Sequence, residues 1–261
     1  MANFFGRRRE ALWRVEQYRG QRSVEVQATQ LEGNGVTKRS EQKRILAEWV
    51  EFLSGSTTGI TDLNLVSQVP QELLDAVGGQ HQLKSLAVKW GPYSDLNPLR
   101  SLKELRTLSL GGARAVKDLQ PLASLHKLHT LVLDQPFSAR NPEVIGQFQS
   151  LERLAFGNGH LGSDRTLEVA DLEWIGRLTN LRALHLPGTR LPVEQLTTLA
   201  KLPNLVELGI PLRRVYRKTV FDLAPGNKAF AYLTREYEGL DAAWQSQART
   251  SRRGPGSSVQ A

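Results

Sequence analysis

Cysteine is absent from the sequence of 261 residues. Without cysteine the chain forms no disulfide bond, no thiolate metal site and no cysteine nucleophile, and this composition suits a reducing compartment. Long apolar runs are absent as well, because no stretch approaches the roughly 18 consecutive apolar residues of a membrane span. The N-terminal Arg7, Arg8 and Arg9 are not followed by an apolar run, so no signal peptide is predicted. We therefore expect a cytoplasmic protein without a membrane span.

Motifs of catalysis and metal binding are also missing. The sequence contains no Gly-x-Ser-x-Gly and no Walker motif. No histidine stands in a metal-ligand spacing such as His-Glu-x-x-His. The segment Gly157 to Gly162 fits Gly-x-Gly-x-x-Gly, but a dinucleotide site also needs a strand that opens directly into a helix and an acid about 20 residues on. We expect no catalytic residue, no metal and no cofactor.

Acidic residues are fewer than basic ones, with 26 Asp and Glu against 34 Lys and Arg. The formal net charge is +8, and much of the excess lies near the two ends of the chain. The basic residues concerned are Arg7, Arg8, Arg9, Arg14, Arg19, Arg22, Arg213, Arg214, Arg217, Lys218, Arg249, Arg252 and Arg253. One interpretation is that these ends are simply solvated. The alternative is that they hold nucleic acid or another acidic surface by releasing counterions.

A repeated pattern, Leu-x-x-Leu-x-Leu with conservative replacements, dominates what is present. It starts at Ile60, Leu83, Leu105, Leu128, Leu151, Leu181 and Leu205. The steps between starts are 23, 22, 23, 23, 30 and 24 residues, and a period in the twenties predicts a leucine-rich-repeat solenoid. We predict an α/β fold: an arc with a parallel concave β-sheet, about seven repeats, short 3₁₀ or α segments on the convex side, and helical caps at both ends.

Three convex segments carry a family resemblance, the third more loosely than the others. Asp95-Leu-Asn-Pro-Leu99 and Asp118-Leu-Gln-Pro-Leu122 are each followed by x-x-Leu-x-x-Leu-x-x-Leu-x-Leu, and Asp171-Leu-Glu-Trp-Ile175 is a looser copy. They resemble the short repeats of internalins and of the phosphatase-regulatory leucine-rich-repeat class. The resemblance covers residues 60–212 and implies an arc whose parallel strands bind protein on the concave face.

The chain departs from that family at one position. Three residues after the last strand leucine, the family usually has an asparagine whose amide bonds the neighbouring backbone. The residues at this position are Gln68, Gly91, Ala113, Pro136, Gly159, Thr189 and Arg213. Since an unpaired buried amide costs roughly 1–3 kcal/mol, we expect backbone groups at this corner to bond water or each other, and the arc to be less regular.

Four segments are predicted along the chain. Residues 1–57 form an N-terminal cap with a helix from Arg8 to Tyr18, a strand from Ser23 to Ala28 and a helix from Ser40 to Leu53. Residues 58–212 form the solenoid. Residues 213–243 form a C-terminal cap, with a strand-like segment from Val215 to Leu223 and a helix from Asn227 to Glu238. Residues 244–261 are predicted to be a disordered basic tail.

The x positions of the repeated pattern are the candidate binding positions, because side chains alternate along a strand. Neighbouring strands lie about 4.8 Å apart, so Lys84, Arg106 and His129 form a basic stripe across roughly 10 Å. The candidate partner-binding residues are Lys84, Lys89, Trp90, Arg106, His129, Asp134, Arg153, Arg182 and His185, with His160 and Asp164 in the long fifth repeat. The alternative is that these are ordinary soluble positions and that Trp90 folds over Tyr93.

The predicted function is non-enzymatic recognition of another protein through the concave face. An exposed tryptophan beside a basic stripe is a reasonable hot-spot pattern, and the stripe favours a partner that is acidic at the contact. Analogy by fold suggests a regulatory adaptor or an immunity-type binder. We expect a monomer. Nucleic-acid binding through the basic ends is the alternative, and it has less support because no recognised module is present.

Overall fold

The computed structural model describes residues 10–55, 58–160 and 163–252 of the chain. Eight parallel strands form one sheet in the order β1-β2-β3-β4-β5-β6-β8-β10, and β7 pairs with β9 in a separate two-stranded sheet. The strands are β1 (Ser23–Val26), β2 (Asp62–Gln68), β3 (Ser85–Trp90), β4 (Thr107–Leu110), β5 (Thr130–Asp134), β6 (Arg153–Gly157), β7 (Leu167–Glu168), β8 (Ala183–His185), β9 (Thr189–Arg190) and β10 (Glu207–Gly209). The predicted α/β solenoid is confirmed.

The leucines of the repeat set the register of this sheet. Leu86 pairs with Leu108, Leu108 with Leu131, and the same alignment continues through Leu154 and Leu184 to the last strand. These side chains are at most 1% exposed. Because a strand places successive side chains on opposite faces, burial of the leucines turns the intervening residues of every strand toward the concave surface.

The convex returns are short, as the sequence predicts. They are α2 (Gln71–Val77), 3₁₀ turns at Asn97–Ser101, Gln120–Ser124 and Pro142–Gln147, α3 (Glu173–Gly176), and a 3₁₀ turn at Val193–Gln195 that leads into α4 (Leu196–Ala200). The aspartates of the family-like motif begin three of them. Asp95, Asp118 and Asp171 each accept a hydrogen bond from the backbone N–H two residues on, at 2.8, 3.0 and 3.1 Å. This side-chain turn starts the return after each strand.

A strand and a helix close the N-terminal end of the core. Strand β1 pairs with β2 in parallel, and α1 (Arg39–Ser54) buries Ile45, Trp49 and Leu53. The helix predicted from Arg8 to Tyr18 is wrong over its described part, which holds a 3₁₀ turn at Val15–Gln17. Leu12 instead forms a parallel bridge with Val26. This backbone pairing covers the outer edge of β1, and it competes with the helix.

Two helices close the C-terminal end. The segment from Val215 to Leu223 was predicted to be strand-like, but it lies in α5 (Arg214–Leu223). Helix α6 (Lys228–Arg252) begins after Asn227, whose Oδ1 accepts from the N–H groups of Ala229 and Phe230, both at 3.1 Å.

Helix α6 is longer than predicted. It continues through Gly239, where we expected it to end, and through residues 244–252, which were assigned to a disordered tail. Glycine inside a helix costs roughly 1 kcal/mol, which is too little to end a helix anchored by tertiary contacts. Phe230, Leu233 and Tyr237 supply those contacts, since each is at most 4% exposed. Residues 253–261 of the predicted tail lie outside the described part. Among the described residues, no helix is both long and apolar enough to span a membrane.

The Asp118 turn gives a pH-dependent prediction. The Gln120 N–H and the Asn141 side chain hydrogen-bond the Asp118 carboxylate and hold its pKa below the ordinary value of 3.8, with Arg140 and Arg100 adding to the effect. A carboxyl whose pKa is lowered by folding stabilises the protein above its unfolded pKa, and this contribution disappears as the pH falls through the folded pKa.

We therefore expect Asp118→Asn to unfold at lower urea than the native protein at pH 7. The difference in free energy of unfolding should narrow as the pH falls below 3.8. A difference that stays constant or widens on acidification would contradict the assigned role of this carboxylate.

Candidate functional site

One backbone ladder places the basic stripe. The Arg106 N–H donates to Lys84 O, and the His129 N–H donates to Arg106 O, both at 2.8 Å. The same bond recurs before every later strand of the eight-stranded sheet. It joins one column of residues at the N-terminal edge of the strands, which we call the edge column: Thr61, Lys84, Arg106, His129, Glu152, Arg182 and Val206. Lys84, Arg106 and His129 are therefore direct neighbours.

Several cations of this surface lack an internal partner. Lys84, Arg106 and Arg182 in the edge column are exposed, as is Arg153 one residue further along its strand. Within the described part of the chain, none of the four forms an ion pair or a side-chain hydrogen bond with another residue. Lys89, near the opposite ends of the strands, is likewise exposed and unpaired there.

The acidic groups nearby are mostly engaged. Asp62 Oδ2 accepts from the Thr61 hydroxyl at 2.7 Å, and Glu207 Oε1 lies 2.9 Å from His185 Nε2. Glu104 receives two bonds from Lys127 Nζ, which lower the pKa of Glu104, and the charges of Arg106 and Lys84 lower it further. These bonds do not remove the negative charge of Asp62 and Glu207, but they hold the three carboxylates on partners other than Lys84, Arg106, Arg153 and Arg182, which form no ion pair in the described part of the chain. Glu152, between His129 and Arg182, is partly buried and is the exception on the edge column.

Two predicted partner-binding residues have structural contacts of their own. Asp134 Oδ1 accepts from the Gly159 N–H at 2.9 Å, which ties the fourth repeat to the fifth. The ring of His185 lies over Gly209 and bonds Glu207. His129 keeps an exposed ring, with Nδ1 2.7 Å from Lys127 O. Asp134 and His185 are thus held by contacts within the chain, whereas one ring nitrogen of His129 stays accessible to a partner.

Trp90 and Tyr93 occupy different environments. Trp90 is 39% exposed, and its Cβ packs against the backbone of Gly112. Tyr93 is fully buried, and its hydroxyl donates to Gly111 O at 2.6 Å. Burial raises the pKa of Tyr93, and the charge of Asp134 adds to this effect. Trp90 thus offers a partly covered aromatic surface at the far end of β3 from Lys84.

The corner without the asparagine ladder uses other bonds. Backbone groups pair across it, as expected: the Ala113 N–H donates to Asp134 O and the Gln135 N–H to Gly157 O. A buried amide pair also lies one position before the usual asparagine, and sequence analysis missed it. Gln135 Nε2 donates to Asn158 Oδ1 at 3.0 Å, and both side chains are at most 6% exposed. Two amide residues at equivalent positions of successive repeats were the available signal.

Asn158 also holds the insertion of the fifth repeat. Its Nδ2 donates to Arg165 O at 2.6 Å and to Ser163 Oγ at 3.1 Å. The insertion then forms β7, which pairs with β9. No helix follows Gly157 in the described residues up to Glu168, so the Gly-x-Gly-x-x-Gly match lacks the phosphate-binding helix that it requires.

The two candidate residues of the insertion are accessible. His160 and Asp164 are both exposed. They lie beside residues 161 and 162, which are outside the described part. Among the described residues, no group of three or more metal-ligating side chains is present.

An open depression of about 410 Å³ lies beside the edge column and was also missed. It is lined by His129, Gln149, Ser150, Glu152, Asn180, Arg182 and Asn204. Asn180 Nδ2 and Asn204 Nδ2 donate to backbone carbonyls of the preceding repeats at 2.8 and 2.9 Å. An asparagine directly before the first leucine of the last two repeats was the signal for this second, outer amide ladder.

The basic residues near the ends of the chain differ from those of the concave face. Arg14 pairs with Glu41 at 2.8 Å, Arg217 with Asp241 at 2.6 Å and Lys218 with Asp222 at 2.6 Å. Arg213 is partly buried, and Arg214 is exposed. Three of the seven basic residues of these ends whose side chains the structure describes are therefore paired with carboxylates of the same chain.

Parallel register, inward leucines and short convex returns define this chain as a leucine-rich-repeat protein. Internalin C2 from Listeria monocytogenes has a similar structure, with 22% identity and a TM-score of 0.49 over 63% of this chain and 69% of that one. A second internalin of that organism, inlF, is 20% identical to this chain with a TM-score of 0.42, and the match covers 59% of this chain and 48% of that one. The ectodomain of the Arabidopsis receptor kinase HAESA, solved in complex with an IDA peptide hormone, is 14% identical with a TM-score of 0.43. This match covers 58% of this chain and 30% of that one. No protein-family model and no curated protein matches the chain.

The Asn158 contacts lead to a prediction about the insertion. Asn158→Ala removes bonds to the backbone of the loop and leaves Gln135 Nε2 without its partner. We expect a loss of about 2 kcal/mol in the free energy of unfolding and faster tryptic cleavage after Arg165 in the folded protein.

Asn180→Ala is the matched control. It removes one exposed amide bond on the opposite edge of the sheet, so it should leave cleavage after Arg165 unchanged. Equal cleavage of native protein and Asn158→Ala would show that this amide does not hold the loop.

Proposed function

We propose that this chain is a non-enzymatic recognition protein that binds an acidic surface of another protein on its concave face. Lys84, Arg106, Arg153 and Arg182 carry the contact, and Trp90, Lys89 and His129 border it. The observation that supports this function most is the set of exposed cations without partners on a face whose carboxylates are largely engaged. The proposal extends to a cytoplasmic monomer acting as a regulatory adaptor or immunity-type binder.

The energetics favour a partner that covers the cations. A solvent-exposed ion pair contributes only about 0–1 kcal/mol, so scattered contacts with small acids bind weakly. A protein surface that excludes water around several guanidinium groups strengthens each pair, and positive charge also accelerates the encounter with an acidic partner. Arginine and tryptophan are the residue types enriched at the centres of such interfaces.

The basic ends of the chain support nucleic-acid binding less well. Arg14, Arg217 and Lys218 are paired with carboxylates of the same chain. Release of counterions by a polyanion needs free cations, and each engaged cation reduces that number. Binding of nucleic acid is therefore the alternative that the experiment must distinguish from binding of an acidic protein.

Charge reversal tests the proposed surface. Arg106→Glu combined with Arg182→Glu should abolish retention of a specific protein from the source lysate while leaving the melting temperature nearly unchanged, because both side chains are exposed. Arg177→Glu combined with Lys201→Glu is the matched control, since it reverses two exposed cations on the convex side. The control should retain the same protein as the native chain.

Retention that survives reversal on the concave face would contradict the proposal. A titration with salt and generic nucleic acid completes the test. Steep salt-dependent binding of nucleic acid that neither double variant changes would favour the basic ends instead.

A further inference from the structure

A row of small side chains runs across the concave face, with the edge column along one side of it; we call this strip the groove and the row of small side chains its floor. The floor consists of the middle residue of four adjacent strands: Ala87 (β3), Ser109 (β4), Val132 (β5) and Ala155 (β6). Since neighbouring strands lie about 4.8 Å apart, this floor is about 14 Å long. Small residues there let another backbone approach the sheet closely.

Larger side chains limit the groove at both ends. On β8 the equivalent residue is His185, whose ring lies over Gly209 and bonds Glu207. On β2 it is Asn64. The edge column forms one side of the groove and lies three residues from the floor, which is about 10 Å along an extended strand. An α-helix of about 10–12 Å diameter that lies over the floor therefore reaches the edge column with one flank, and it passes over the residues between them, which are Ser85, Thr107, Thr130 and Arg153.

The charges of the edge column follow one order from β3 to β8: Lys84, Arg106, His129, Glu152 and Arg182. Five neighbouring strands at about 4.8 Å separate the first charge from the last by about 19 Å. Helix positions i, i+3, i+7, i+10 and i+14 lie on one face and span about 21 Å at 1.5 Å per residue. In an extended chain, side chains on one face are about 6.7 Å apart. This spacing differs from the roughly 4.8 Å between strands, so an extended chain would no longer be aligned with the charges after two contacts.

We propose that the partner presents an amphipathic α-helix, which lies in this groove across the strands with its acidic flank on the edge column. This inference rests on the proposed function and specifies the partner's chemistry. The complementary helix carries acids at i, i+3 and i+14, a neutral residue at i+7 and a basic residue at i+10 opposite Glu152. One further acid, on the floor side of i+10, meets Arg153. Small apolar residues on the adjoining stripe of the helix cover Ala87, Ser109, Val132 and Ala155.

Designed peptides test the proposal directly. The first is a lactam-bridged helical peptide of about 18 residues with this charge pattern. The second has the same composition with the charges permuted, and the third keeps the pattern but contains two central prolines that prevent a helix. Fluorescence anisotropy with the full chain at one fixed salt concentration should give binding of the first peptide that is at least about tenfold tighter than that of the other two.

Three variants separate the contribution of the groove floor from that of the charges. Ser109→Tyr fills the floor without changing the charge, and it should weaken binding of the patterned helix by about tenfold or more. Asn64→Tyr places the same side chain at the equivalent position of β2, outside the groove, and should leave binding unchanged. Glu152→Lys should reverse the preference at i+10, so that a peptide with glutamate there binds better than the original peptide.

Three results would contradict the proposal that the partner binds as an α-helix. They are equal binding of the permuted peptide, equal or tighter binding of the proline peptide, and no binding of the patterned helix at all. If any of these occurs while Arg106→Glu with Arg182→Glu still loses the captured protein, the proposed function stands and only the helical partner is wrong. If the captured protein is also unaffected by charge reversal, both proposals are wrong.

Discussion

The structure depends on one constraint, which is that no single repeat can bury its own leucines. Each short strand exposes three inward side chains that are covered only when the next strand lies beside it in the same register. A shift by one residue would turn the leucines outward and the charged residues into the core. The spine of Leu86, Leu108, Leu131 and their successors therefore fixes the fold and also the face to which every other residue of the strands points.

The positive surface follows from this register. Residues far apart in sequence, such as Lys84 and Arg182, occupy one column because each lies immediately before a strand of the same register. The carboxylates nearby are used within the chain: Asp134 ties two repeats together, Asp62 accepts from Thr61, and Glu207 pairs with His185. What remains on the face is unpaired positive charge above small side chains, and this combination underlies both the proposed function and the proposed helical partner.

The sequence predicts the solenoid well because its signal is a repeated burial requirement. The seven leucine patterns give the strands, and the spacing of three before them gives the short returns. The columns of exposed residues follow from alternation alone, so the relative positions of Lys84, Arg106 and His129 could be predicted without coordinates. Their role in binding stays a prediction.

Features that depend on tertiary contacts were predicted poorly. Val215 to Leu223 has no single clear period, but Tyr216 and Val220 are buried four residues apart on one face of α5. Leu12 pairs with the edge of β1, an interaction that no local pattern shows. The amide pair of Gln135 and Asn158 lies one position from the family's asparagine, so a search at the expected position passes over it. In each case a distant partner decides the local structure.

The distance between two strands far apart in sequence tests the common register most directly. The chain has no cysteine, so Thr107→Cys with Glu207→Cys provides a single pair of sites for spin labels on β4 and β10. Four strand spacings separate these sites, and the account predicts a narrow distribution of distances centred near about 20 Å. A distribution centred beyond about 35 Å, or one without a defined maximum, would contradict a single sheet with one shared concave face.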